Sequence, residues 1–224
     1  DPDSRDELKA LGVTRPELTV TADPVLGLAP SVIDVKKGRK ILSLLGVDGR
    51  PVVGVSVRPW KGLEGYKRAI AKVADDLAGE GWQVLLIPMH SPGDLETCRE
   101  VAALMGGRAI LFDRHTDYMS LLAVTAGLDL AIGMRLHFLI FSVLSGVPVV
   151  GVPYDPKVNS FLQSAGLYLG LSAERLEYGE LSTRVKQIAG NRQKISAGLK
   201  ERTSVLRKEA LKNASLVAEL LRSQ

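Results

Sequence analysis

The sequence predicts an α/β fold, a doubly wound parallel sheet of Rossmann-like design. Three observations carry that prediction. From residue 51 onward, short apolar segments alternate with segments of helical periodicity. Strands separated by helices run parallel, joined by right-handed crossovers. The apolar segments (VVGVSV, VLLI, AILF, LAI and VPVVGV) are unbroken rather than alternating, as in strands covered on both faces. The 224-residue chain is 46% apolar but only 5% aromatic, so aliphatic side chains must fill most of the core.

The first residues stand outside the alternation. Ser4 is placed to cap a short helix running to Leu11 and stopped by Gly12. Leu18 to Thr21 reads as a short strand, broken by Ala22-Asp23-Pro24. Leu26 to Ser31, with Gly27 and Pro30, reads as a linker, and a helix from about Val32 to Leu45 closes at Gly46. Residues 1–46 are therefore expected to be the tail end of a truncated N-terminal domain plus a linker. The chain starts at Asp1, so more of that domain is expected upstream.

Residues 47–224 form the predicted main domain. Pro51 to Val57 is a strand, followed by a helix from Leu63 to Gly79 whose Ile70, Val73, Ala74 and Leu77 share one face. Trp82 to Ile87 is a strand, Asp94 to Met105 a helix and Arg108 to Phe112 a strand. Tyr118 to Thr125 is a helix, Leu128 to Ile132 a strand and Arg135 to Leu144 a helix. Val147 to Val152 is a strand and Lys157 to Ala165 a helix. From Glu180 the chain is polar and helical, with an apolar stripe through Leu181, Val185, Ile188, Leu199 and Leu206. That closing helix should pack across the sheet domain or reach back to a neighbouring one.

Composition narrows the function. No stretch approaches the roughly 20 uninterrupted apolar residues of a membrane span. The single cysteine, Cys98, can form no disulfide within the chain and reads as a small packing residue. The net charge of +4 comes largely from the C-terminal segment, including Arg192, Lys200, Arg207 and Lys212. Without interleaved aromatics or a recognised motif it reads as a solvated helix face, not a nucleic-acid surface. A weak attraction to anionic lipid or to a phosphorylated substrate also fits. There is no phosphate loop, no dinucleotide turn, no nucleophile elbow and no helical metal-ligand pair.

The candidate site lies in one stretch, Asp129-Leu-Ala-Ile-Gly-Met-Arg-Leu-His137 through Val152-Pro-Tyr-Asp-Pro-Lys157. It reads as strand, glycine turn, helix, strand and loop. Open α/β sheets bind ligands at the carboxyl ends of their strands. A helix amino terminus after Gly133 offers free N–H groups and a positive dipole end. Gly133 would let a ligand approach the backbone, Arg135 could fork onto a phosphate or carboxylate, and His137 could exchange protons near neutral pH. Alone, such a histidine is more often a hydrogen-bonded structural residue, and Lys157 alone is more often solvated surface. Neighbouring strands about 4.8 Å apart would bring the three cations together. Arg58 occupies a further carboxyl loop, as do Pro88 to Asp94 and Asp113 to Asp117; Asp94 and Asp117 read most simply as helix caps.

The same residues carry a family resemblance. Leu130-Ala-Ile-Gly-Met-Arg-Leu-His137, followed by Gly146-Val-Pro and Tyr154-Asp-Pro-Lys157, resembles the signature of the polysaccharide pyruvyl transferases. The Ser56-Val-Arg-Pro-Trp60 turn looks closest to CsaB-type bacterial members. The resemblance runs from about Thr19 to the C-terminal helix. It implies the C-terminal half of a GT-B-like two-domain fold, with part of the active cleft upstream. It implies transfer of the enolpyruvyl unit of phosphoenolpyruvate to a sugar as a cyclic ketal. The acceptor it implies is an N-acetylmannosamine residue of a lipid-linked or polymeric secondary cell-wall glycan that anchors surface-layer proteins.

On that basis His137 is expected to transfer the proton, as acid or as base. Arg135, Gly133 and Lys157 are expected to bind the donor's anionic groups, and Arg58 its carboxylate. No metal or organic cofactor is required. The implied location is cytoplasmic, with room for peripheral association with a membrane holding the acceptor. Two rival readings stay open. A GT-B sugar-nucleotide enzyme, a glycosyltransferase or 2-epimerase, would want a carboxylate for the ribose, for which Asp155 and Glu174 are weak candidates. A non-enzymatic Rossmann-like scaffold predicts that Arg135, His137 and Lys157 do not converge.

Overall fold

The computed structural model describes residues 1–114 and 116–222. His115, in one of the loops singled out above, lies outside the described residues. Five parallel strands form the sheet: β1 (Val52–Ser56), β2 (Gln83–Leu86), β3 (Ala109–Leu111), β4 (Leu130–Gly133) and β5 (Val149–Gly151), in the order β3-β2-β1-β4-β5. The chain starts in the centre, winds outward through β2 and β3, and returns to β4 on the other side of β1. The switch point thus falls between β1 and β4, where Ser56 pairs with Gly133.

The unbroken apolar strands are explained by helices on both faces. On one face lie α3 (Gly65–Gly79), α4 (Gly93–Leu104) and α8 (Tyr178–Gly190), which bury Tyr66, Ile70, Leu77, Val101 and Val185 against Val53, Val55 and Leu86. On the other lie α5 (Tyr118–Thr125), α6 (Leu136–Leu144) and α7 (Pro156–Ser164), which bury Leu122, Phe138, Leu139 and Leu162 against Leu85, Ile87 and Val149. The 31-residue α9 (Arg192–Arg222) closes this second face through Leu199, Leu206 and Ala210. Its asparagine at 213 bonds the carbonyl of Ala22 (2.9 Å) and the hydroxyl of Thr21 (2.8 Å). The closing helix therefore packs on the sheet domain and also holds the chain entering it.

The entering segment differs from expectation. Helix α1 (Pro2–Ala10) is capped by Asp1, whose carboxylate accepts both the N–H and the hydroxyl of Ser4; Ser4 itself is the third helical residue. Leu18 to Thr21 forms no strand: it has no regular secondary structure and pairs with none of the five strands of the sheet. Pro24–Gly27 and Pro30–Val32 are 3-10 turns. Helix α2 (Val35–Leu44) packs on α5, and Leu26 and Leu42 are buried in the same core as Phe138. Gly38 makes that contact possible, since a side chain there would run into the carbonyl of Ala123.

Candidate active site

Four loops and helix starts meet at the carboxyl edge of the sheet, around a cavity of about 560 Å³. Arg135, His137 and Lys157 all line it, together with His90, Tyr118 and Tyr154. Met89, Leu121, Leu122 and Phe141 supply an apolar wall. The convergence that the scaffold reading excludes is therefore present.

Arg135 is the N-cap of α6, one residue earlier than the sequence placed it, with extended backbone (φ −72°, ψ 124°). Its guanidinium is not the free fork expected. Nε donates to Asp94 Oδ2 at 2.8 Å and Nη2 to Oδ1 at 2.5 Å. The Asp94 side chain is fully buried, at 0% exposure, against 23% for Arg135. A carboxylate so removed from water must be paired and hydrogen-bonded, and Oδ2 also accepts the backbone N–H groups of Met89 (3.2 Å) and His90 (3.0 Å). Asp94 is thus no helix cap. It is the second residue of α4 and ties the β2–α4 loop to the start of α6. Both N–H groups of Arg135 Nη1 and the second N–H of Nη2 are left for a ligand.

His137 is the second residue of α6, 55% exposed at the side chain, with Nε2 3.8 Å from Asp23 Oδ2. It is a cavity group and not a packed structural residue. Lys157 is the second residue of α7, where its N–H is taken by the N-cap Asp155 (3.0 Å) and its ammonium stands 4.0 Å from the same carboxylate. More than half of its side chain is exposed, so the ammonium can swing toward an anion in the cavity.

Two expected site residues are placed elsewhere. Gly133 is the buried last residue of β4, and its carbonyl accepts from Val152 N–H. A Cβ there would stand 2.6 Å from Phe138 Cδ1 and 2.9 Å from Leu139 Cδ2. The glycine makes room for α6, not for a ligand. Arg58 does not line the cavity. Its guanidinium lies 4.4 Å from the Tyr154 ring centroid and 5.6 Å from that of Trp60, and these two rings pack at 4.9 Å. Arg58 thus touches the site through Tyr154.

His90 and Tyr118 were not singled out from the sequence, although His90 sits in a loop marked for its place at a strand end, and Tyr154 was quoted only within the family signature, with no role at the site. Among the described residues no His, Cys, Asp and Glu side chains cluster to hold a metal, and no helix is long and apolar enough to cross a membrane.

Residues 1–156 match the sequence pattern described as polysaccharide pyruvyl transferase. The chain belongs to that family. The chain matches no curated protein sequence. Its fold is shared with sugar-nucleotide enzymes of GT-B type. The S. aureus MnaA–UDP co-structure superposes with a TM-score of 0.73 at 10% identity, covering 99% of this chain and 59% of that one. Anabaena HepE in complex with UDP-glucose gives 0.63 at 19% identity, covering 99% and 62%. A putative UDP-N-acetylglucosamine 2-epimerase from Listeria monocytogenes gives 0.65 at 14% identity, covering 99% and 58%. The chain thus spans about six-tenths of the length of these structures.

Proposed function

We propose that this chain carries the donor site of a CsaB-type pyruvyl transferase, which moves the enolpyruvyl unit of phosphoenolpyruvate onto a sugar as a ketal. One observation carries the reading: Arg135, His137 and Lys157 share one cavity at the carboxyl edge of the sheet. Phosphoenolpyruvate bears a phosphate and a carboxylate. Lys157 supplies a mobile positive charge for one, and the Nη1 edge of Arg135 a fixed donor for the other. The Asp94 contact orients that edge and offsets the guanidinium charge, so Lys157, whose ammonium stands 4.0 Å from Asp155, supplies the mobile cation. His137, exposed beside the helix start, donates the proton to the methylene carbon or takes one from the attacking hydroxyl.

The acceptor in this reading is a lipid-linked or polymeric glycan bearing N-acetylmannosamine, met at the cytoplasmic membrane surface. The cavity is wider than phosphoenolpyruvate alone requires, and its apolar wall suits the methyl of an N-acetyl group or a sugar face. Calorimetric titration of phosphoenolpyruvate into the chain, beside Arg135→Ala and Lys157→Ala, tests the donor site. Saturable binding that falls at least tenfold in each variant is expected. Binding of UDP-N-acetylglucosamine without binding of phosphoenolpyruvate would replace this reading by a sugar-nucleotide enzyme.

A further inference from the structure

We infer that His90 is a second proton-transfer residue of this site, in addition to His137, on a loop whose backbone Asp94 holds. The inference rests on the pyruvyl-transfer reading. The reaction sets the requirement. Two C–O bonds form between sugar hydroxyls and the enol carbon, and the C–O bond to phosphate breaks. One hydroxyl proton ends on the methylene carbon, giving the methyl group. The other leaves with the phosphate as hydrogen phosphate. No oxidant or reductant is involved, but two separate proton transfers are, at two positions on the donor.

The cavity holds two imidazoles, on different elements. His137 comes from the start of α6, and His90 from the loop between β2 and α4. A loop residue needs a fixed backbone to serve in catalysis, and here Asp94 provides one. Its Oδ2 accepts both the His90 N–H (3.0 Å) and Arg135 Nε (2.8 Å), so the loop and the anion-binding arginine meet on a single buried oxygen. The backbone N–H of Asp94 returns a bond to the carbonyl of His90 at 2.9 Å, closing the turn. The side chain of His90 is not used in this scaffold and lies exposed toward the cavity. The other titratable groups around that cavity are Arg135, His137, Lys157, Tyr118 and Tyr154, with Asp94 bound to Arg135, Asp23 beside His137, Asp155 beside Lys157 and Arg58 against Tyr154.

The test measures phosphate release from phosphoenolpyruvate by the intact enzyme, with a 4-nitrophenyl glycoside of N-acetylmannosamine as acceptor. Wild type, His90→Gln, His90→Ala and His137→Gln are compared between pH 5 and 9. His90→Gln is expected to lower kcat about 100-fold or more while the Kd of phosphoenolpyruvate stays within about twofold. One limb of the pH profile should vanish, and added imidazole should restore part of the His90→Ala rate. Since His90 is exposed, thermal unfolding of both variants should match wild type. A His90→Gln enzyme with both limbs and a kcat within about threefold of wild type overturns the inference. If His137→Gln is then still inactive, the pyruvyl-transfer reading survives without it. A wild-type enzyme that binds and consumes no phosphoenolpyruvate overturns both.

Discussion

Arg135 donates from Nε and Nη2 to the two oxygens of Asp94, a carboxylate with no solvent exposure, across the carboxyl end of β1. The two residues are 41 positions apart in sequence and come from opposite sides of the central strand. Their contact sets which edge of the guanidinium a ligand can meet.

Replacing Asp94 with alanine leaves Arg135 half-buried without its partner, and removes the acceptor of the Met89 and His90 N–H groups. Because Arg135 keeps some contact with water, the expected loss is about 2–4 kcal/mol, at or below the range for breaking buried pairs. Urea unfolding measures it. Asp94→Asn, which keeps an acceptor oxygen, should lose less.

Gly133→Ala separates packing from ligand approach. The added methyl would sit 2.6 Å from Phe138. Overpacking of this kind costs about 1–3 kcal/mol, read as a lower Tm. At a temperature where the variant is folded, its Kd for phosphoenolpyruvate should change far less than that of Arg135→Ala.

Burial pushes the Cys98 thiol up to about 12. It is therefore neutral and shielded at pH 8, and thiolates, not thiols, are the nucleophiles. Ellman's reagent should leave the native protein unlabelled over minutes and titrate one thiol after unfolding. Rapid labelling of the native chain would contradict the packing described around α4.

The N-cap Asp117 of α5 accepts from the Ser120 hydroxyl (2.6 Å) and N–H (2.8 Å). The hydroxyl first, and then the N–H, hold its carboxyl below its ordinary value of 3.8. A depressed pKa means stability that is fully present above the unfolded value and lost as pH falls through the folded one. The Tm gap between wild type and Asp117→Ala should be constant above about pH 5 and shrink steadily below about pH 4. A gap that widens in acid would reverse the assignment.

Much of the fold was legible because its signals are local. The runs VVGVSV and VLLI mark central strands whatever their neighbours, since only two covered faces tolerate such sequences. Leu18 to Thr21 misled because strand-like composition says nothing about whether an edge is available to pair with. Ser4 misled for a similar reason: Asp1, three residues earlier, was equally able to cap and lies where the helix begins. At the site, the positions of Arg135, His137 and Lys157 could be read because each lies at the end of a strand, and parallel strands share one carboxyl edge. What each side chain does there could not be read.

The sequence alone determined the parallel doubly wound sheet and the edge that holds the cations, because periodicity and strand polarity are carried by residues close together in the chain. Only the tertiary structure decided that Gly133 serves packing, that Arg58 stacks on Tyr154 and that Arg135 is bound to Asp94. Those outcomes depend on which side chains meet across the switch point, and a hydrogen bond over 41 residues leaves no periodic trace in the sequence.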